Sequence, residues 1–315
     1  MALITDSTVE PLYASTVEKS LLEAGFAPVV FSFAAGEQSK TMQTLSDALE
    51  FLAAEQLTRE DCVLALGGGV VGDLAGFAAG CYLRGIHYVQ VPTTLLAAVD
   101  SAVGGKTGID LSAGKNLAGL FWQPSAVICS TDCLATLPEE TFLDGVVEAI
   151  KTGVLSDEAL YTLIEQGLIE ENLEGIIASC VAYKAGVVEA DEREGNTRKY
   201  LNLGHTIGHA IEACSGYTIS HGRAVAAGLA MISRAAVAMG FCDELAARRI
   251  IELLSKLGLP TDTEFSTEEL AQAALHDKKR SGNRLTLVLP TSIGSCVLHD
   301  IDMGELPKVI EKGRS

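Results

Sequence analysis

Basic residues are scarce in this 315-residue chain: 23 Lys and Arg stand against 41 Asp and Glu, a formal charge of -18. Nucleic acids and anionic membrane surfaces are bound through basic stripes, and none is present, so neither is an expected partner. Long apolar runs are missing as well. No segment approaches the roughly 18 to 20 apolar residues that cross a bilayer, and the N-terminus has no charged region followed by an apolar one, so the expected location is the cytoplasm. The eight cysteines lack C-x-x-C spacing; the closest pair, Cys129 and Cys133, is C-x-x-x-C. They are expected to be buried free thiols without disulfides. Internal repeats and low-complexity tracts are also absent.

What remains is an ordinary globular composition, 48% hydrophobic and 20% charged, in a chain long enough for two domains. Short β-branched runs at Ala2–Thr5, Pro28–Phe33, Cys62–Leu66, Tyr88–Pro92 and Ala126–Cys129 alternate with helical patterns. That alternation predicts βαβ units and a Rossmann-like, mostly parallel α/β domain over residues 1–137. After Pro138 the periodicity is helical at 141–165, 170–190, 205–216, 222–240 and 243–257, which predicts a mainly α-helical second domain over 138–315. Only Arg284–Pro290 and Cys296–His299 read as strands there. No strand or hairpin precedes Ala2, so the sheet is expected to lack an edge pair.

Gly67, Gly69 and Gly72 fit G-x-G-x-x-G between a buried strand and a small-residue helix. Such glycines let backbone approach a pyrophosphate at a helix N-terminus. The same pattern also serves as a tight turn that packs a helix on a sheet. The acidic residue expected at the end of the next strand is missing, because Pro92-Thr93-Thr94 stands there, so this is not an ordinary dinucleotide site. In the upstream loop Gly36–Lys40, Glu37 is a candidate for a ribose and Lys40 for a phosphate; alternatively Ser39 or Thr41 simply caps a helix.

Residues 91–119 carry sparse charges, Asp100, Lys106, Asp110 and Lys115, each set among small residues. Gly104-Gly105-Lys106-Thr107 resembles the end of a phosphate-binding P-loop, but that motif needs Gly where Asp100 stands and a strand running into the loop. Lys106 and Lys115 are better read as point charges held in glycine-flanked loops for an anionic ligand. Ordinary surface lysines are the plainer alternative.

His205 and His209 stand four apart, on one face of a helix, and His221 follows within 17 positions of the first. Nitrogen ligands with a carboxylate suit zinc or a similar divalent ion, a catalytic site keeping one position open. Glu148 is a candidate carboxylate, yet Glu148 and Lys151, three apart, read equally as a helical salt bridge, and spacing does not connect them to residue 205.

Taken together, the segments GGGVVGDLAGF, VPTTLLAAVDSAVGGKTGID, GKNLAGLF, EAIK, LNLGHTIGHAIE and SHGRAVAAG resemble the 3-dehydroquinate synthases, from about Leu3 to Pro290. The resemblance implies that Glu148, His205 and His221 hold a divalent metal, zinc or alternatively cobalt. It implies NAD between the domains, with Asp6, Glu37 and Lys40 toward the adenosine, Gly69, Gly72 and Asp73 at the pyrophosphate, then Thr93, Thr94, Lys106 and Lys115, closed by Cys133, Leu134, Ala135 and Thr136. The implied substrate is a sugar phosphate acid, 3-deoxy-D-arabino-heptulosonate 7-phosphate. Its implied contacts are Arg84, Asp100, Lys106, Lys115, Asn116, Lys151, Lys184, Arg198, Asn202, His209 and Lys278, with Lys279 open as an alternative to Lys278. Lys151, Glu194, Arg198, Asn202 and His209 are the implied catalytic group, His209 for proton handling. The implied chemistry runs through alcohol oxidation by NAD, phosphate elimination, re-reduction, ring opening and aldol closure to 3-dehydroquinate, and the implied assembly is a homodimer.

Two departures from the family pattern stand out: the chain starts late, which bears on stability and dimer contacts through an unpaired edge, and Ala102 replaces a common Ser. Three other readings compete. A related cyclase would make valiolone-type or deoxy-inosose rings, but Arg198, Asn202 and His209 together favour the dehydroquinate enzyme. A metal-dependent polyol dehydrogenase would have no use for Lys106, Lys115, Asn116 and Lys151. A non-catalytic binding protein is the third.

Overall fold

A computed structural model of the chain describes residues 1–193, 195–278 and 283–315. They form two compact units, Met1–Phe142 and Leu143–Ser315.

In the first unit, strands β1 (Ala2–Asp6), β2 (Val29–Phe33), β3 (Cys62–Gly67), β4 (His87–Pro92) and β7 (Ala126–Val127) form one parallel sheet in the order β2-β1-β3-β4-β7. Helices α1 (Ser15–Glu23), α2 (Met42–Ala54) and α3 (Gly69–Cys81) lie between the strands in sequence. β1 is buried throughout, as a central parallel strand must be when both sheet faces are covered. Its side chains alternate: Ala2 and Ile4 join Val63, Ala65, Leu74 and Leu52 in one core, while Leu3 joins Leu64, Leu66, Val9 and Ala14 in another. Of the two candidate caps, Thr41 is the one used on α2, its hydroxyl accepting from the Thr44 N–H.

Two expectations for this unit change. Lys106 and Lys115 do not sit in loops: β5 (Lys106–Leu111) and β6 (Gly114–Phe121) form an antiparallel hairpin. Its small residues give weak strand propensity, so the sequence hides it; packing demands them all the same. A Cβ on Gly119 would meet the Thr107 carbonyl oxygen, and one on Gly76 of α3 would come 2.5 Å from the Thr107 methyl. Gly104 and Gly105, at φ +107° and +65°, turn the chain into β5. The cysteines also differ: all eight are free, but only Cys133, Cys180 and Cys242 are buried, and Cys81 and Cys129 are exposed. Cys129 lies past the two-residue β7, outside the sheet core.

The second unit contains α4 (Glu139–Ser156, which starts just before it), α5 (Glu158–Glu165), α6 (Leu173–Ala190), α7 (His205–Cys214), α8 (His221–Ala238), α9 (Glu244–Lys256), α10 (Thr267–Lys278) and α11 (Leu306–Lys312). The antiparallel pair β8 (Arg284–Ser292) and β9 (Ser295–Asp302) completes it. The helical pattern at 141–165 splits in two because the Asp157 carboxylate caps α5, accepting from the Ala159 and Leu160 N–H groups. α10 and α11 were not among the predicted helices. Among the described residues, no helix is long and apolar enough to cross a membrane.

Helices α7 and α8 touch through glycine. A Cβ on Gly228 would lie 2.2 Å from the Gly204 carbonyl oxygen and 2.7 Å from the Gly208 nitrogen, both backbone atoms with no freedom to swing away. Gly228→Ala is therefore expected to force the two helices apart, at a cost of about 1–3 kcal/mol. A melting temperature unchanged from the parent chain would show that the contact is softer than this.

Candidate active site

Two helix starts and one helix middle bring the titratable groups together. Glu148 lies in the middle of α4, His205 opens α7 and His221 opens α8. Gly204, the residue before α7, is left-handed at φ +77°, which lets the chain turn sharply into His205. Before α8, the Ser220 hydroxyl donates to Asp144 Oδ1 at 2.7 Å. Gly222 permits that approach, since a Cβ there would stand 2.3 Å from the Asp144 Cα. His221 is thereby delivered to Glu148, four residues along α4 from Asp144.

Glu148 Oε1 is 3.5 Å from His205 Nε2 and 3.3 Å from His221 Nε2. A zinc ion held at about 2.0–2.1 Å in a tetrahedron separates its ligand atoms by about 3.3–3.4 Å. The donor set and its spacing thus fit a divalent ion such as zinc or cobalt. Each histidine also has its other ring nitrogen occupied: His205 Nδ1 is 3.0 Å from the Leu203 carbonyl oxygen, and His221 Nδ1 is 3.3 Å from Glu212 Oε2. Glu148 keeps 1% of its side-chain surface open and His205 11%, but His221 keeps 33%, so the cluster is reachable from the His221 side.

The remaining Glu148 oxygen, Oε2, faces Lys151 Nζ at 2.5 Å, an ion pair rather than an aligned hydrogen bond. Burial alone would raise the Glu148 carboxyl, yet Lys151, chief among its cationic neighbours, holds it well below the usual carboxylate range. His205 is lowered by burial and by the Lys151 cation, so it stands neutral with its lone pair available. For His221 burial works downward too, but hydrogen bonds to Glu148 and Glu212 outweigh it and push the imidazole up to about 10. In the metal-free chain its stabilising contribution is complete below the ordinary histidine range near 6.5 and is lost as pH rises through about 10.

An ion entering this site must displace that one proton, because Glu148 and His205 are already deprotonated. Zinc affinity is therefore expected to rise about tenfold per pH unit between roughly pH 7 and 9, with about one proton released per ion. Calorimetry in buffers of differing ionisation heat counts the proton. A pH-independent affinity would contradict the arrangement.

His209 is exposed, one turn along α7 from His205, with ring centroids 5.3 Å from His205 and 6.1 Å from His221. With Glu212 and His221 it makes a second group whose donor atoms all lie within 4.8 Å of one another. Arg198 is buried in the 3-10 turn Thr197–Asn202; its N–H donates to Asp191 Oδ2 at 3.0 Å and its guanidinium to the Glu192 carbonyl. Lys184 is buried on α6, and Asn202 ends the turn just before Gly204. Glu194, Lys279 and the side chain of Lys278 lie outside the described residues.

In the first unit, the glycines and the charged loops do converge. Gly68 precedes α3, and no side chain caps the N–H groups of the helix's first turn. Lys40 Nζ is 2.9 Å from Asp73 Oδ2, 2.5 Å from Asn116 Oδ1 and 3.6 Å from Glu37 Oε1. Burial would lower the Lys40 ammonium, but Asp73 and Glu37 raise it above its ordinary value. Lys115 reaches the same Glu37 oxygen at 3.7 Å. The hairpin therefore carries Lys115 and Asn116 to the residues expected on the nucleotide side. Thr93 is buried and its N–H donates to the Gly67 carbonyl; Thr94 accepts from the Ala97 N–H, ahead of the π-helical turn Ala97–Ser101 that holds Asp100. Arg84 is exposed at φ +68° and Lys106 is exposed at the start of β5. Asp6 has a structural task, its carboxylate accepting from the Thr8 and Val9 N–H groups. Cys133 and Leu134 are buried and Ala135 and Thr136 exposed in one 3-10 turn, which Tyr13 ties down through the Cys133 carbonyl and the Thr136 hydroxyl.

Sequence reasoning missed Glu212, Asp144 and Tyr13. Glu212 alone had a signal, since it follows His209 by three and His205 by seven and so falls on the histidine face of α7.

Residues 30–144 match the 3-dehydroquinate synthase N-terminal family and residues 145–280 the 3-dehydroquinate synthase C-terminal family. A 3-dehydroquinate synthase of Streptococcus thermophilus is 45% identical over 319 aligned positions, covering 99% of this chain and 90% of that one. Among solved structures, a 2-epi-5-epi-valiolone synthase from Streptomyces hygroscopicus with NAD+ and Zn2+ bound superposes with a TM-score of 0.90 at 25% identity. A 2-deoxy-scyllo-inosose synthase with carbaglucose-6-phosphate, NAD+ and Co2+ gives 0.88 at 28%; each covers 99% of this chain and 90% of its own. With both family halves matched, together over residues 30–280, and 45% identity to a 3-dehydroquinate synthase over 99% of its length, the chain belongs to the 3-dehydroquinate synthase family.

Proposed function

We propose that the chain converts 3-deoxy-D-arabino-heptulosonate 7-phosphate into 3-dehydroquinate and phosphate by oxidation, phosphate elimination, reduction, ring opening and aldol closure. The observation that carries this reading is the convergence of Glu148 with His205 and His221 on the edges of a metal-sized tetrahedron, in a chain 45% identical to a 3-dehydroquinate synthase over nearly its whole length. When bound, NAD supplies reversible hydride exchange and the divalent ion supplies Lewis acidity at the reacting oxygen.

The chain's own residues do the rest. Glu148, His205 and His221 hold the ion, and Lys151 keeps Glu148 ionised for it. His209, exposed beside them, handles a proton, while Lys106, Lys184, Arg198 and Asn202 bind and orient the anionic substrate with Arg84, Asp100 and Lys278. Glu194 completes the catalytic group. Lys40, Asp73, Glu37, Lys115 and Asn116 form one polar network, so the hairpin links the nucleotide and substrate contacts in place. Asp6, Gly69, Gly72, Thr93, Thr94 and residues 133–136 complete the nucleotide contacts. Residues 1–137 act as the NAD-binding domain and 138–315 as the metal- and substrate-binding domain. The protein works in the cytoplasm as a homodimer, without nucleic-acid or membrane partners.

A second reading, a cyclase making a valiolone or deoxy-inosose ring, is favoured by the superpositions alone. A substrate series separates the two. Phosphate release is expected from the heptulosonate phosphate and at most weakly from a heptulose phosphate lacking the carboxylate; the reverse preference would establish the second reading.

A further inference from the structure

We infer that Glu212 is a positioning residue of the metal centre: it accepts from Nδ1 of His221, fixing the ring and its tautomer so that Nε2 faces the ion. The inference rests on the reading that Glu148, His205 and His221 are the ligands. Glu212 is 5% exposed, and it lies two turns along α7 from His205, on the same face. Its Oε2 stands 3.3 Å from His221 Nδ1 while the opposite ring nitrogen, Nε2, stands 3.3 Å from Glu148 Oε1. The His221 ring is thus held between two carboxylates, one on each side.

His205 is treated the same way by a different group. Its Nδ1 meets the Leu203 carbonyl oxygen at 3.0 Å, which can only accept, so the proton sits on Nδ1 and Nε2 is left for coordination. For His205 the partner is backbone and comes with the fold. His221 stands at the first position of α8, a third of its side chain open, and both its ring nitrogens meet groups on other helices. A carboxylate from α7 supplies the constraint at Nδ1, and such outer partners commonly contribute 10–100-fold in metal affinity.

The competing arrangement is an ion held by His209, Glu212 and His221, whose donors also lie within 4.8 Å of one another. It would take Nδ1 of His221 and leave the Glu148–Lys151 pair without a task in coordination. The tetrahedral edges around Glu148 favour the first arrangement, and metal binding distinguishes the two.

The test is titration of the full-length metal-free chain with Zn2+ against a chromophoric chelator, and with Co2+ by its visible spectrum, for the parent, Glu212→Ala, Glu212→Gln and His205→Ala. The parent is expected to take one ion. Glu212→Ala should bind it about 10–100-fold more weakly with a changed cobalt band. Glu212→Gln, whose amide oxygen still accepts from Nδ1–H, should recover most of that loss, and His205→Ala should lose the ion. Circular dichroism confirms that each variant is folded, and should Glu212→Ala fail to fold, the glutamine variant decides alone by its cobalt band and retained affinity.

Parent-like affinity in folded Glu212→Ala would overturn the inference, as would equal losses in the alanine and glutamine variants. A Glu212→Ala chain that binds nothing while His205→Ala keeps its ion would make Glu212 a ligand instead. A parent chain that takes up no ion would overturn the metal centre itself, and the inference with it.

Discussion

Replacing His205 by alanine is expected to abolish both metal retention and turnover. The residue contributes one of two nitrogens to the cluster, its Nδ1 is already committed to the Leu203 carbonyl, and burial together with Lys151 keeps its lone pair free of a proton. Two remaining ligands, one of them the partly open His221, leave an ion one bond short of the three that a catalytic site provides alongside water in the fourth place. His209 stands one turn away but faces the second cluster with Glu212, so it does not replace the missing nitrogen. Metal analysis after gel filtration and a phosphate-release assay read the two losses together. A folded variant that keeps its ion and its rate would remove His205 from the ligand set. His209→Ala is the contrasting variant, keeping the ion while losing rate.

Lys151→Met is expected to destabilise the metal-free chain by about 2–4 kcal/mol, because it removes the cation at the buried Glu148 Oε2 and leaves only the His221 imidazolium, on the other oxygen, to balance the carboxylate. Lys151 and Glu148 are 2% and 1% exposed, so solvent screens little of the pairing. Above the ordinary carboxylate range near 4.3 the unfolded Glu148 is ionised, and the pair's contribution is fully present; it is lost as pH falls through the depressed folded value. Bound metal brings its own positive charge to Glu148, so saturating zinc should reduce the penalty of the substitution. Urea unfolding of parent and variant, with and without zinc, measures both quantities. A loss below about 1 kcal/mol, or one equal in both conditions, would mean that Lys151 does not serve as the carboxylate's counter-ion.

How much of this was legible in the sequence depended on the kind of signal. The parallel sheet was readable because β1, β3 and β4 carry apolar runs, those of β3 and β4 ending at glycine or proline, and buried parallel strands need little else. The β5–β6 hairpin was not, because Gly108 and Gly119 face each other's backbone across the two strands where a Cβ would clash, and glycine reads as loop. The histidines stood out through their spacing on α7. Glu148 did not connect to them by any periodicity; it comes from α4, and only the family motifs tied the two segments together. Glu212 was hidden in plain view, a single acid in an apolar helix whose partner is nine residues on and across a turn. Cys81 and Cys129 misled because their apolar neighbours suggested burial, while the strand at 126 ended too soon to cover Cys129.

The proposed reaction consumes no net oxidant, and that makes its most direct test simple. The zinc-loaded chain is given the heptulosonate phosphate with a trace of NAD, and inorganic phosphate, dehydroquinate absorbance and NADH are followed together. Phosphate and dehydroquinate should appear in equal amounts, far exceeding the NAD supplied, with no lasting NADH. Absence of phosphate release, or NADH accumulating in step with substrate consumed, would contradict the account.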